Sequence, residues 1–450
     1  MNTGIKKIIC LAIFLWPVML PFLIQAQDLL PLQEVITGVV KENLDVELEQ
    51  YDAEIASNNV YRGNAGQLPT VELQGSYDYN YNIRQNIDAG EFAAPGGDFA
   101  LGGDNLVSTT LQSAVTVNYV LFNGFQGRYQ YQKLQTQNEQ AQKQLEAVMQ
   151  DVVVEALELY LEVARHQAQL GINEESIVIS QERLQRNEIA KEFGGVNQLE
   201  VLQAQVDLNE DSIDYDNTSL AYQQAKQRLA ELLYRPPAYD FIVEENIRVR
   251  DEPFDYPTLQ QQALAENATL QVSKYEARVA YQEVKIEDAQ RFPTLNASAG
   301  MNYNRQQTEQ GFPETQETFG PSVGLSLNYT LYDGKQRKVS RKNARLTYDR
   351  YETQLKETTR QVEAELSNTY REYENYRGQL RKTQANLANY ERNFQKAKEE
   401  YELGTTTGTE LRNAQVNLVN AKNRIVTLTF DLKLAETHLL KLSGQLMSEN

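Results

Sequence analysis

Four stretches of the chain alternate apolar and polar residues with period two. In the first, Val71, Leu73, Gly75, Tyr77, Tyr79 and Tyr81 alternate with Glu72, Gln74, Ser76, Asp78 and Asn80. Val115, Val117, Tyr119 and Leu121 share a face in the second, and Leu295, Ala297, Ala299, Met301 and Tyr303 in the third. Val323, Leu325, Leu327, Tyr329 and Leu331 do so in the fourth. The alternation predicts strands over 71–81, 111–121, 294–304 and 321–331. Each is about the nine to eleven residues that a tilted strand needs to cross a bilayer, with tyrosines toward the ends where an aromatic girdle would sit. A soluble hairpin with one wet face fits the same alternation, so the pattern alone leaves both readings open.

After each strand pair the period changes. From Gly127 to Glu192 there is no proline and only Gly171 intervenes; from Lys335 to Leu403 the only interruption is Gly378. A helix of that length runs roughly 100 Å. No compact globule accommodates it, so long helices must pack on one another. The segment that follows carries a heptad seam through Leu411, Ala414, Leu418, Ala421, Ile425, Leu428, Leu432, Ala435, Leu439 and Leu442. Leu380, Leu387, Tyr390, Phe394, Ala397 and Tyr401 of the long helix answer it. An earlier seam runs from Val201 to Leu232 but is broken by Asp211 and Thr218. A wet seam accounts for the break, and the sharper alternative has Asp211 facing a polar lumen.

The chain is written twice. Glu42-Asn43 recurs as Glu266-Asn267 and Pro69-Thr70 as Pro293-Thr294, both at an offset of 224. Asn118-Tyr119 through Asn123-Gly124 recurs as Asn328-Tyr329 through Asp333-Gly334 at an offset of 210, which also relates Gly194 to Gly404. The 14 extra residues therefore lie between 70 and 118, around Ala93-Ala94-Pro95-Gly96-Gly97 to Gly102-Gly103. Length variation confined to one segment marks a loop tip. The plan is a first repeat over 27–236, a linker over 237–256 and a second repeat over 257–450. Each repeat reads helix, strand, strand, long helix (125–192 and 335–402) and return helix (197–233 and 409–443).

Residues 1–26 read as a signal peptide, with Lys6 and Lys7 before an apolar run and Ala26 at the cleavage site. The single cysteine, Cys10, lies inside it, so the mature chain has no thiol for a disulfide, a metal or nucleophilic catalysis. The formal charge of −19 becomes −21 when the two lysines are removed, which gives no general attraction to nucleic acid. Beyond the signal no run of 18 apolar residues forms a transmembrane helix. His166 and His438, the only histidines, lie far apart on helices, and no phosphate loop, nucleophile elbow or carboxylate-rich metal motif occurs. The reading is not an enzyme and needs no cofactor or metal.

Four strands cannot close a barrel, and an open edge in hydrocarbon leaves backbone groups unpaired. The chain must share its sheet with copies of itself. Two copies give an eight-strand barrel filled by side chains, whereas three give twelve strands and room for a pore. Both strands of each hairpin meet helices on the same side, so 82–110 and 305–320 lie together on the other side, outside the cell. The fold class is mainly helical with a membrane β-barrel, a trimer sharing a twelve-stranded barrel on a periplasmic helical barrel. A non-conducting coiled-coil protein of the envelope is the alternative. It explains the heptads but not the paired strands.

The strand exits Tyr119-Val120-Leu121-Phe122-Asn123-Gly124 and Tyr329-Thr330-Leu331-Tyr332-Asp333-Gly334 resemble those of TolC-type outer-membrane factors. So do the tips, Phe193-Gly194-Gly195-Val196 before Glu200 and Leu403-Gly404-Thr405-Thr406-Thr407-Gly408 before Glu410. The resemblance covers essentially the whole mature chain. It implies a homotrimeric conduit in outer-membrane lipid, served by a periplasmic adaptor and an inner-membrane RND-type or ABC-type transporter. It further implies that Gly194, Gly195, Val196, Gly404, Thr405 and Gly408 form the adaptor-docking tip, and that Glu200, Glu410 and Asn413 lie at an iris-like aperture. Some members ring the aperture with two carboxylates. Glu410 matches the first and Asn413 replaces the second, while Thr406 stands where some members carry a gate arginine. Glu410 either joins a charge ring or stabilises the first helical turn. Gly194, Gly195, Gly404 and Gly408 are expected at positive φ, reversing the chain at the tips.

Overall fold

The computed structural model describes residues 28–85, 103–236, 239–245, 247–309 and 314–449. The expected signal peptide with Cys10, and the glycine-rich tip from Ala93 to Gly102, lie outside the described residues. The first repeat holds β1 (Asp28–Leu30), α1 (Leu32–Glu42), α2 (Leu44–Asn59), β2 (Thr70–Gln85), β3 (Gly103–Phe122), α3 (Gln126–Glu192) and α4 (Gln198–Leu232). After β4 (Phe241–Val243) the second holds α5 (Tyr256–Glu266), α6 (Ala268–Ala289), β5 (Thr294–Thr308), β6 (Thr315–Asn328), α7 (Gln336–Glu402), α8 (Gly408–Leu442) and α9 (Leu446–Glu449).

Each repeat opens with two helices where the sequence suggested one. The break falls at Asn43 and at Asn267, the residues that the 224-residue repeat pairs. Asn43 Oδ1 accepts from the backbone N–H groups of Asp45 at 2.8 Å and Val46 at 3.3 Å. Asn267 Oδ1 accepts from Leu270 at 2.9 Å, and its amide donates to the Leu442 carbonyl at 3.1 Å. Both asparagines are therefore N-caps that satisfy the orphan donors of the second helix.

The four long strands form one antiparallel sheet in the order β2-β3-β5-β6. They are longer than the bilayer-spanning lengths read from the alternation: 16, 20, 15 and 14 residues. The ladder runs into both segments expected as loops, as far as Gln85 paired with Gly103 and Gln307 paired with Thr315. Backbone pairing needs no apolar face, so it continues past the last lipid-suited side chain. At the other end β6 stops at Asn328, short of the expected Leu331, because its last partner is Thr294 and the preceding Pro293 has no N–H to offer. In one chain β2 and β6 are open edges. The outward row on β6 is strongly exposed, with Val323 at 86% and Leu325 at 72%.

The two long helices have 67 residues each, about 100 Å. α3 packs on α2 and α6 near the sheet and on α4 and α8 farther away; α7 packs on α6 and α8. The expected seam on α8 is buried from Leu411 to Leu442, with Ile425 half-buried. Midway along the helices a belt gathers α1, α5, α9 and the parallel pair β1-β4, two short strands the alternation could not reveal. Tyr160 of α3 is fully buried there. Its hydroxyl donates to the Leu30 carbonyl at 3.1 Å and accepts from Glu244 N–H at 3.0 Å, and burial pushes its pKa up to about 12. On α7 the matching contact is Tyr370, which donates to the Phe254 carbonyl at 3.3 Å.

Candidate functional site at the helical tips

Both long helices end the same way. Gly194 and Gly404 adopt φ of 75° and 74°. The N–H of Gly195 donates to Ala190 at 2.8 Å, and that of Thr405 to Glu400 at 2.9 Å. This is the pattern of a Schellman cap, in which the glycine takes the left-handed position. Gly195 and Gly408 do not have positive φ, contrary to the sequence expectation. Gly195 sits one position beyond the left-handed residue. Gly408 is the first residue of α8, and a Cβ there would lie 3.6 Å from the Tyr401 ring. That is ordinary van der Waals contact, so neither the turn nor the packing on Tyr401 requires a glycine at 408.

The return helices start on side-chain caps. Asn197 Oδ1 accepts from Glu200 N–H at 3.0 Å. Thr407 and Glu410 form a reciprocal capping box: Glu410 N–H donates to Thr407 Oγ1 at 3.2 Å and Thr407 N–H to the Glu410 carboxylate at 3.1 Å. Thr406 also donates its hydroxyl to that carboxylate. The Thr406 hydroxyl first, then Thr407, hold the Glu410 carboxyl below the usual glutamate range. Of the two roles left open for Glu410, the helix-stabilising one has its geometry in place. Glu200 and Asn413 are exposed, as are Thr405 and Gly194, while Val196 is half-buried.

Above the tips lies a polar core that the sequence reading missed. Arg183 of α3, 5% exposed, pairs with Asp207 of α4 and donates to the Gly408 carbonyl at 3.3 Å. Asn187 donates to the Glu200 carbonyl at 3.2 Å and accepts from the Tyr401 hydroxyl. Arg186 lies over the Tyr401 ring at 5.6 Å and donates to the Glu402 carbonyl at 2.7 Å. One turn along α4 from Asp207, Asp211 is 6% exposed, so the seam is not wet there. Its carboxylate accepts from Arg412 of α8 at 2.8 Å and from the Ser180 hydroxyl. Burial opposes the Arg412 charge, but Asp211 outweighs it and raises the guanidinium pKa. Gln415 completes the layer, donating to Ser176 at 3.0 Å. Thr218, the second break, accepts from Asn173 at 2.9 Å. Both breaks are thus polar contacts between helices. The signal for the first was Asp211 standing at a seam position otherwise held by Ala204, Leu208 and Tyr215.

These contacts tie the first hairpin (α3 and α4) to the second (α7 and α8), and an open cleft of about 740 Å³ remains between the tips. Arg186, Asn187, Gln203, Tyr401 and Gly404 line it. Among the described residues no group of three or more His, Cys, Asp or Glu side chains could hold a metal ion. His438 pairs with Glu158 at 3.3 Å, and His166 lies elsewhere on α3, its pKa lowered by burial.

An open antiparallel sheet on four long helices, duplicated within one chain, is the fold of TolC-like outer-membrane channels. The outer-membrane channel OprN superposes with a TM-score of 0.76 at 16% identity, covering 92% of this chain and 90% of that one. VceC from Vibrio cholerae gives 0.72 at 18%, covering 92% and 96%. Residues 37–233 and 259–445 match the outer membrane efflux protein family, and the chain belongs to that family. The outer membrane efflux protein BepC of Brucella suis is 21% identical over 431 residues, 93% of this chain and 87% of BepC. The probable outer membrane lipoprotein SilC of Salmonella typhimurium is 27% identical over 184 residues, 41% of this chain and 39% of SilC. The chain is therefore an outer-membrane efflux channel protein by family.

Proposed function

We propose that three copies of the chain close a twelve-stranded barrel and a hollow helical cylinder, through which substrates pass from an inner-membrane transporter of RND or ABC type and a periplasmic adaptor to the exterior. The observation that carries this reading is the open four-stranded sheet, whose edges β2 and β6 have no partner among the described residues. The helices beneath support it. Leu44, Leu48, Tyr51 and Ile55 form an exposed stripe on α2. Their counterparts on α6, Ala268, Val272, Tyr275 and Val279, are buried or half-buried. Likewise Tyr129, Gln132, Lys133, Thr136 and Gln140 of α3 are half-buried, while their counterparts on α7, from Val339 through Leu346 to Arg350, are exposed. α3 is flanked by α2 of its own repeat and α6 of the other, whereas α7 packs on α6 of its own repeat and has no comparable packing on α2. An α2 from the next copy supplies it.

The long helices then reach into the periplasm with the tips farthest from the membrane. Adaptor helices dock around Gly194, Gly195, Val196, Gly404, Thr405 and Gly408, and an iris at Glu200, Glu410 and Asn413 opens when the second hairpin moves from the first. The repeat boundaries at 236 and 257 place the linker in the belt. Energy comes from the transporter, and the channel performs no chemistry. Purified protein in a planar bilayer should form a defined conductance from a trimeric species. A monomer that inserts nowhere would refute the reading, and a stable trimer without conductance would favour the envelope coiled coil.

A further inference from the structure

The first turns of α7 carry more positive charge than their surroundings explain. Between Lys335 and Arg345 six residues are basic and none is acidic, in a chain of net charge −19. The matching stretch of the first repeat, 125–135, has only Arg128 and Lys133. Helix stability does not account for the excess, because cations at a helix N-terminus oppose the macrodipole. Two of the six have local duties. Arg337 holds Asp333 at 2.7 Å and donates to the Thr330 carbonyl at 2.6 Å, and Arg341 pairs with Asp288 of α6. Lys335, Lys338 and Lys342 are exposed and make no ion pair among the described residues, and Arg345 meets only groups of its own helix, Asp349 at 3.5 Å and the Tyr348 ring at 5.3 Å.

Their position relative to the sheet singles out a partner. The apolar row of β6 runs without a break through Val323, Leu325 and Leu327 into Tyr329, Leu331 and Tyr332, all more than half exposed. Tyr332 is the last of them, and Lys335 follows three residues later. At 1.5 Å per residue the patch occupies about the next 15 Å of α7, the depth of a headgroup layer and its counterion zone. Lys335 and Lys342 precede Tyr370 by five and four heptads, and Lys338 and Arg345 precede Tyr373 likewise. In supercoiled helices such residues share a face. Tyr370 and Tyr373 face the belt segment at Phe254. A belt inside the cylinder would block the conduit, so this face is the outer one. It also stays largely open on assembly, since Phe125, Arg128 and Gln135, the α3 counterparts of Lys335, Lys338 and Arg345, are exposed although α3 is flanked on both sides, while Gln132, the counterpart of Lys342, is half-buried and sets Lys342 at the margin of the open face.

We propose that Lys335, Lys338, Lys342 and Arg345 form a headgroup-binding collar that selects anionic phospholipid in the periplasmic leaflet around the second repeat. The lysine stems lie along the apolar edge and the ammonium groups reach the phosphates. The inference rests on the sheet spanning a membrane. The test reconstitutes the full chain with spin-labelled phosphatidylglycerol or phosphatidylcholine, beside a variant combining Lys335→Gln, Lys338→Gln, Lys342→Gln and Arg345→Gln. Wild-type protein should hold phosphatidylglycerol about fivefold more strongly, falling to below about twofold in the variant and in about 0.5 M salt. Equal selectivity in both proteins overturns the collar while leaving the channel reading intact. Loss of the oligomer in the variant with unchanged lipid selectivity assigns the patch to the subunit interface instead. Protein that retains neither lipid and stays soluble without detergent refutes the membrane reading itself.

Discussion

Arg183 and Asp207 illustrate how a buried ion pair joins helices at a cost that is hidden until one partner is removed. Both are almost fully buried. Asp207→Ala leaves a guanidinium without its counter-charge, which costs about 3–5 kcal/mol. The double variant Arg183→Met with Asp207→Leu should recover most of that loss, read as the thermal midpoint of detergent-solubilised protein. A single variant no worse than the double would contradict the pairing. Glu410 makes a pH-dependent contribution. Its folded pKa is depressed by Thr406 and Thr407, so the contribution is full above the ordinary value of 4.5 and is lost as pH falls through the lower folded value. Amide protection in the first turn of α8 should therefore hold from neutral pH to about 5 and drop below 4.5, with no such step in Glu410→Gln. The motif Thr407-Gly408-Thr409-Glu410 was legible as a helix start. The partners of Arg183 were not, because they come from two other elements, α4 and α8, whose heights along α3 no local pattern specifies.

The strand-to-helix corners separate two demands on glycine. Gly124 and Gly334 have φ of 68° and 66°, and each is followed by a second left-handed residue, Phe125 or Lys335. A Cβ on Gly124 would meet the Ala289 carbonyl at 2.5 Å, whereas nothing lies within 4 Å of one on Gly334. Gly334→Ala should cost about 1 kcal/mol, the left-handed penalty alone. Gly124→Ala must also displace α6 and should cost clearly more, measured as the difference in melting temperature. Equal losses would mean that α6 yields freely. The repeat made the matching corners visible in the sequence. Their unequal surroundings were hidden, since Gly124 meets the other repeat and Gly334 faces outward. The Glu-Asn pair at 42–43 and 266–267 was likewise visible as a repeat, but its meaning as a capped helix break emerges only once Asn267 is seen holding Leu442.

The long helices, the strand pairs and their duplication follow from period and offset, and the belt does not. Its two strands have three residues each, too short for alternation to register, and pair across more than 200 positions. The molecule as a whole is an unfinished object, with open sheet edges, an uncovered stripe on α2 and an uncovered face on α7. Internal symmetry states how copies complete it. Lys133 of α3 pairs with Glu283 of α6 at 2.6 Å. Carried over by the offsets of 210 and 224, this contact sets Asn343 of α7 opposite Asn59 of the next copy's α2, and Thr347 opposite Ile55 one turn along. The described part of the chain has no cysteine, so disulfide trapping has a clean background. Chains carrying both Ile55→Cys and Thr347→Cys, oxidised in the outer membrane and run without reductant, should form a covalent trimer, while either single variant stays monomeric. A double variant that remains monomeric under oxidation, or that links only into dimers, would contradict closure by three copies.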